Sequence, residues 1–134
     1  MDLLARREHS ATELRQKLIL RDFEKDEIDF VLEALQRDNL QSDSRFTESY
    51  IRHRVNAGLG PKKIEHELRT RGINAEYATD CLCLYEACWD ANMEQQRIRK
   101  FGEKIPSDHA QKMKQARFLQ NRGFSAESVM RLFR

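Results

Sequence analysis

Apolar positions along this chain recur every three or four residues, and almost nowhere do they alternate. Leu14 and Leu18 form one such pair, and Ile64 and Leu68 form another at the next turn of a long period. Ile28, Val31, Leu32 and Leu35 follow the first pair; Ala78, Cys81, Leu82 and Tyr85 stand at the same offsets after the second. Val129, Leu132 and Phe133 close a third phrase at the end of the chain. Spacing near 3.6 residues gathers such positions on one helix face, so the pattern predicts α-helices nearly everywhere.

The punctuation agrees. Ser10, with Glu13 three residues on, predicts a capping box for the helix of Leu14 and Leu18. Pro61 suits the first turn of the helix of Ile64 and Leu68, where a missing N–H costs no bond. Gly58, Leu59 and Gly60 before it read as a turn. Gly72 and Gly123 are expected at positive φ as helix stops, with Ser125 capping the helix that follows. Each phrase is also preceded by a helix. The first is a stub at 3–9; the second, at 43–57, carries Phe46, Tyr50, Ile51 and Val55; the third, at 89–101, carries Met93 and Ile98.

The unit is therefore helix–helix–helix, roughly 50 residues long and used three times, a period typical of helical repeats whose units lean on one another. The expected architecture is all-α: three tandem three-helix repeats at 1–40, 41–90 and 91–134, forming an elongated, curved solenoid. The third copy is worn, because Gln115 replaces its first anchor and Met113, Ala116 and Phe118 must share the packing.

Composition adds little to the fold and more to the class. Apolar residues make up 40% and charged residues 34%, with five Gly and two Pro. That mixture is too apolar for a disordered chain and too poor in turn formers for a β protein. No apolar run approaches the roughly 20 residues that cross a bilayer, and MDLLARREHS lacks the order of a signal peptide. A soluble, cytoplasmic, monomeric protein is expected. Cys81, Cys83 and Cys88 form neither an even set nor a zinc pair, and are expected as free, buried apolar groups.

Candidate chemistry is sparse. His9, His53, His66 and His109 are scattered, and no HExxH, GxSxG or phosphate-loop motif occurs. The expectation is a protein with no catalytic residues, no metal and no cofactor. Charge is more informative than its net value of +2. Residues 21–49 carry four Lys/Arg against nine Asp/Glu, hence −5; residues 94–134 carry ten against four, hence +6. On the middle unit Lys62, His66 and Arg69 fall on the helix side away from Ile64 and Leu68. Arg97, Lys100 and Lys104 are spaced to share a face, and so are Lys114 and Arg117, with Arg122 near the helix end. Adding Arg52 and Lys63, these basic residues are the candidate contacts for a phosphate backbone or an acidic protein groove.

With the repeats laid out, the sequence resembles the RecX family of bacterial regulators of the RecA recombinase. The likeness is densest at 42–73: Asp43, Arg45 and Phe46 at the entry, then Tyr50, then Gly60, Pro61, Ile64, Glu67 and Leu68, then Gly72 and Ile73. "RKFGEKIP" at 99–106 and "ARFLQNRGFSAE" at 116–127, with Gly123 inside it, extend it into the third unit. One departure is Asp22, which stands in the first copy where Gly72 and Gly123 stand in the others. The resemblance implies a non-catalytic partner of RecA and of the RecA–DNA filament that suppresses ATP hydrolysis, strand exchange and co-protease activity, whether by capping the filament or by lying along it. The alternatives are a stand-alone DNA-binding module, for which the sequence offers little base readout and few exposed aromatics to stack on, and an adaptor for an unrelated protein.

Overall fold

The structure is a computed structural model that describes residues 7–134. It holds eight α-helices and no strand among the described residues: α1 Ala11–Leu20, α2 Lys25–Arg37, α3 Asp43–Asn56, α4 Pro61–Thr70, α5 Ala75–Cys83, α6 Trp89–Phe101, α7 His109–Asn121 and α8 Ala126–Leu132. A 3-10 turn, Glu86–Cys88, leads into α6. Of the stub helix expected at 3–9, residues 3–6 lie outside the described residues. Arg7, Glu8 and His9 are not helical: the His9 ring meets the Arg7 carbonyl and Lys17, and the His9 carbonyl accepts from Gln41 of the second unit, so this segment is held by side-chain contacts rather than by a helical ladder.

The caps form where the local chemistry placed them. Ser10 accepts from Glu13 N–H, and the Glu13 carboxylate accepts from Ser10 N–H, which completes the box. Pro61 opens α4 after Gly60, and Ser125 caps α8. Gly72 and Gly123 end their helices at φ 84° and 105°, and Asp22 takes the same left-handed place in the first copy at φ 65°. Gly58, also left-handed at φ 87°, makes the turn between α3 and α4.

Three apolar clusters follow. Leu14, Leu18, Ile28, Leu32 and Leu35 fill the first; Phe46, Ile51, Leu59, Ile64, Leu68, Ile73, Ala78 and Leu82 the second; Met93, Ala116, Leu119, Phe124, Val129 and Phe133 the third. Each large side chain among them contributes about 1.5–3 kcal/mol when fully withdrawn from water. Trp89 packs against both the second and the third clusters. Gln115 sits buried in the worn anchor position of α7, with Oε1 unpartnered among the described residues.

The units join by a recurring contact that no single helix pattern announces. At the first join the Ser10 hydroxyl donates to the Arg71 carbonyl at 2.8 Å. At the second, Gly60 N–H donates to the Arg122 carbonyl at 2.7 Å and Lys62 N–H to the Gly123 carbonyl at 3.0 Å. The helix start of one unit thus receives the helix stop of the next. A Cβ on Gly72 would collide with the side chain of Thr12, and one on Gly123 would meet Lys63 N at 2.8 Å and Gly60 O at 2.9 Å. These glycines therefore serve twice, as left-handed stops and as points where two units touch.

Candidate functional site

The candidate basic residues separate into those that face solvent and those that hold the fold. Lys62 and Lys63 begin α4, where the macrodipole does not favour cations; a role in the helix itself does not account for them. Both are exposed, as are Arg52, Lys100, Lys114 and Arg117. None of these six makes an ion pair among the described residues, although Lys100 lies over the Phe118 ring at 5.8 Å and Lys63 reaches the Asn121 carbonyl at 3.4 Å. Arg69 is exposed but paired with Glu65 at 3.0 Å.

The face expected from Arg97, Lys100 and Lys104 does not form. Arg97 is 1% exposed and turns inward. Its guanidinium donates to the carbonyls of Gly102, Glu103 and Lys104 at 3.1–3.4 Å, holding the loop after α6. Gly102 stops α6 at φ 92°, so Lys104 is exposed on that loop instead of on the helix. Helical spacing alone could not show that the chain folds its own carbonyls back onto Arg97. Arg122 is likewise half-buried, donating to Gln96 at 2.8 Å and to the Ala57 carbonyl at 3.4 Å, and so it ties the third unit to the second. The cysteines also depart from expectation: all three are free, but only Cys81 is half-buried, while Cys83 and Cys88 are exposed. Cys83 and Cys88 fall outside the stripe of Ala78, Cys81, Leu82 and Tyr85, which all pack in the second cluster.

Two concave regions flank the joins. A groove of about 520 Å³ lies between the second and third units, with Lys62 and Arg131 at its walls and Trp89 and Phe124 among its lining residues. A cleft of about 460 Å³ lies between the first and second units, lined by Arg7, Arg54, Arg71, His53 and Tyr50. The sequence reading passed over this second set, since its members come from three separated segments. The one available signal was Arg71, which recurs at the repeat period as Arg21 and Arg122. Arg54 makes a two-pronged pair with Glu67 at 2.9 and 3.0 Å, and the Tyr50 hydroxyl donates to the same carboxylate at 3.1 Å. Burial and the Glu67 charge push the Tyr50 hydroxyl above the usual tyrosine range, against the Arg71 guanidinium stacked 4.9 Å over its ring. Burial alone would raise Glu13, but the Arg7 guanidinium and the Ser10 N–H outweigh it and hold the carboxyl below its ordinary value.

The remaining motif residues are structural. Phe46 is buried and stacks near Tyr50 at 5.4 Å; Arg45 pairs with Glu8 at 3.0 Å; Asp43 accepts from Ala11 N–H at 2.8 Å. Ile64 and Leu68 are wholly buried, and Gly60 and Pro61 start α4 at the second join. Among the described residues no three His, Cys, Asp or Glu side chains converge to hold a metal, and no helix is long and apolar enough to cross a membrane.

Comparison with known proteins places this arrangement in a family. Models of the first, second and third three-helix domains of RecX match residues 1–35, 42–82 and 90–133. The regulatory protein RecX of Halorhodospira halophila is 42% identical over 127 residues, covering 95% of this chain and 79% of its own. That of Pseudomonas fluorescens strain SBW25 is 42% identical, covering 98% of this chain and 85% of its own. The crystal structure of RecX from Lactobacillus salivarius superposes with a TM-score of 0.80 at 24% identity, over 98% of this chain and 90% of that one.

Proposed function

The chain belongs to the RecX family, and from that premise we propose that it regulates RecA by binding the RecA–DNA filament, suppressing ATP hydrolysis, strand exchange and co-protease activity without chemistry of its own. The observation that carries this reading is the set of exposed cations without ion-pair partners among the described residues: Arg52, Lys62 and Lys63 on the second unit, Lys100, Lys114 and Arg117 beyond it. Cations that pair within the fold have their charge answered there. These do not, and a filament carrying DNA offers the opposite charge along its length. Three units, taken as 1–40, 41–90 and 91–134, each with its own apolar cluster, would present that charge as an extended surface. The acidic first unit and the basic third favour one direction of lying, since reversal would bring like charges together. Inhibition then follows from occupying the groove or from restraining subunit motion.

Reversal of Lys62 and Lys114 to Glu tests the reading. Inhibition of RecA should weaken, and the salt dependence of filament binding should become shallower, by up to about 0.7–0.9 in log–log slope for each phosphate that is no longer neutralised. Melting should barely move, since exposed substitutions usually shift stability by less than about 0.5 kcal/mol. Reversal of Arg37, on the acidic unit, is the control. If the double reversal inhibits like the parent across a salt series, the basic surface is not the contact. Parallel titrations with DNA alone, RecA alone and the filament separate this function from stand-alone DNA binding.

A further inference from the structure

The first unit exposes apolar side chains where its two siblings do not. Phe30 is 71% exposed and Leu20 82%. By the repeat offsets, Phe30 corresponds to Asp80 and Arg131, and Leu20 to Thr70 and Asn121; Ile19, also exposed, corresponds to Arg69 and Gln120. All six counterparts are polar and exposed. The second and third units have their full set of three helices, and those helices leave these positions in solvent. No internal helix of such a bundle would therefore cover Phe30 or Leu20. Their apolar character belongs to this unit and is not required by the repeat architecture.

Phe30 shares a shallow groove of about 370 Å³ with Phe23 and Val31, and the same groove is walled by Asp26 and Glu27. The acid excess of this region, nine carboxylates against four cations over 21–49, surrounds it. Arg15 neutralises Asp29 at 2.7 Å, but Asp26, Glu27 and Glu33 make no ion pair among the described residues. An apolar seam between unpaired carboxylates is the complement of a helix with an apolar stripe flanked by Lys and Arg.

A second copy of the chain is a poor fit. The joins inside the molecule need a left-handed glycine on one side, and the first unit has Asp22, whose Cβ stands where Gly72 and Gly123 have none. They also need a helix start in register, and α7 begins early: Gln111, which corresponds to Gly60, already lies within the helix. Neither end offers the parts of a join.

We propose that the groove of Phe23 and Phe30, formed by the turn before α2 and by α2 itself, is a docking surface for a cationic amphipathic helix of a partner protein. It stands apart from the basic surface of the second and third units, so the two can be occupied at once.

The probe is a fluorescein-labelled amphipathic helix of Leu and Lys, about five turns long, with a scrambled peptide of the same composition as control; binding to the full chain is read by anisotropy. Saturable binding is expected for the amphipathic peptide and not for the scrambled one. Phe30→Asp and Leu20→Thr install the residues the second unit carries at these places, so the fold should tolerate both. Phe30→Asp should weaken binding at least about tenfold, a change of about 1.4 kcal/mol; Met130→Thr, which replaces an exposed apolar residue of the third unit by its second-unit counterpart Thr79, should leave it unchanged. Equal binding by the parent, Phe30→Asp and the scrambled peptide would overturn the proposal. So would a doubled mass in sedimentation that Phe30→Asp abolishes, which would make a second copy the occupant.

Discussion

At the first join Ser10 offers a hydroxyl to the Arg71 carbonyl, whereas at the second Gly60 offers its backbone N–H to the carbonyl of Arg122. The surroundings diverge further. Around Ser10 lie Glu13, Arg7 and Arg71, the Arg45–Glu8 pair, and Gln41, which donates to the His9 carbonyl and to Asp43. Around Gly60 there is mainly backbone: two hydrogen bonds, and a glycine on each side that admits no side chain. Both joins bring a glycine into close contact, but the first meets the Thr12 side chain amid charged groups, whereas the second closes mainly backbone on backbone. The same repeat can evidently be stitched in two ways, provided one donor meets one helix-end carbonyl.

If that distinction is sound, the largest effect should come from placing a side chain in the second join. Gly123→Asp adds a Cβ against Lys63 N and Gly60 O at a left-handed position, and strain and overpacking together should cost about 2–6 kcal/mol. The reverse exchange in the unit with no predecessor among the described residues, Asp22→Gly, should shift stability by less than about 1 kcal/mol. Chemical denaturation of both variants checks this, and equal costs would erase the contrast. Next comes Ser10→Ala. It removes the cap of α1 and leaves the Arg71 carbonyl without its donor, a loss of about 1–3 kcal/mol. That loss should fall on the first two units, which hydrogen exchange can localise.

The smallest effect concerns pH. His9 is buried, and Lys17 donates to its Nε2 at 3.0 Å, so Nδ1 carries the hydrogen given to the Arg7 carbonyl. Burial, with Arg7 and Lys17 nearby, lowers its pKa below the ordinary 6.5. A base that resists its proton when folded is protonated first in the unfolded chain, so stability is full above about pH 6.5 and declines as pH falls toward the folded value. The lowered Glu13 adds a further loss below its ordinary 4.5. Melting followed from pH 7.5 to 5 should show the decline, and His9→Gln should flatten it. A flat profile in the parent would mean that the first join is not charge-sensitive.

Much of the fold was legible because its signals are local. Ser10 with Glu13, Pro61, and the glycines after α4 and α7 each act within one helical turn, and the stripes of Leu14, Ile64 and Val129 point inward by spacing alone. The site was legible only in part. Lys62 and Lys114 face solvent as their spacing predicts, but Arg97 is claimed by carbonyls five to seven residues on, and Arg122 by Gln96 on another helix. Spacing along a helix says which way a side chain leaves the axis, not what later chain returns to meet it. The joins were hidden for the same reason, although one clue stood in the open. Asp22 breaks a glycine position in the single copy that has no earlier unit, among the described residues, to touch.

The economy of the join bears on how such a molecule can change in size. It asks for a donor at one helix start, a carbonyl at the next helix end, and a residue without a side chain between them. A tandem duplicate of the middle unit would supply all three on both of its flanks: its Arg71 carbonyl and Gly72 would meet the original Gly60, and its own Gly60 would receive Arg122. The molecule can therefore lengthen or shorten by whole modules with no new interface to invent, so its reach along any linear target is a count of units that gene duplication alone could reset.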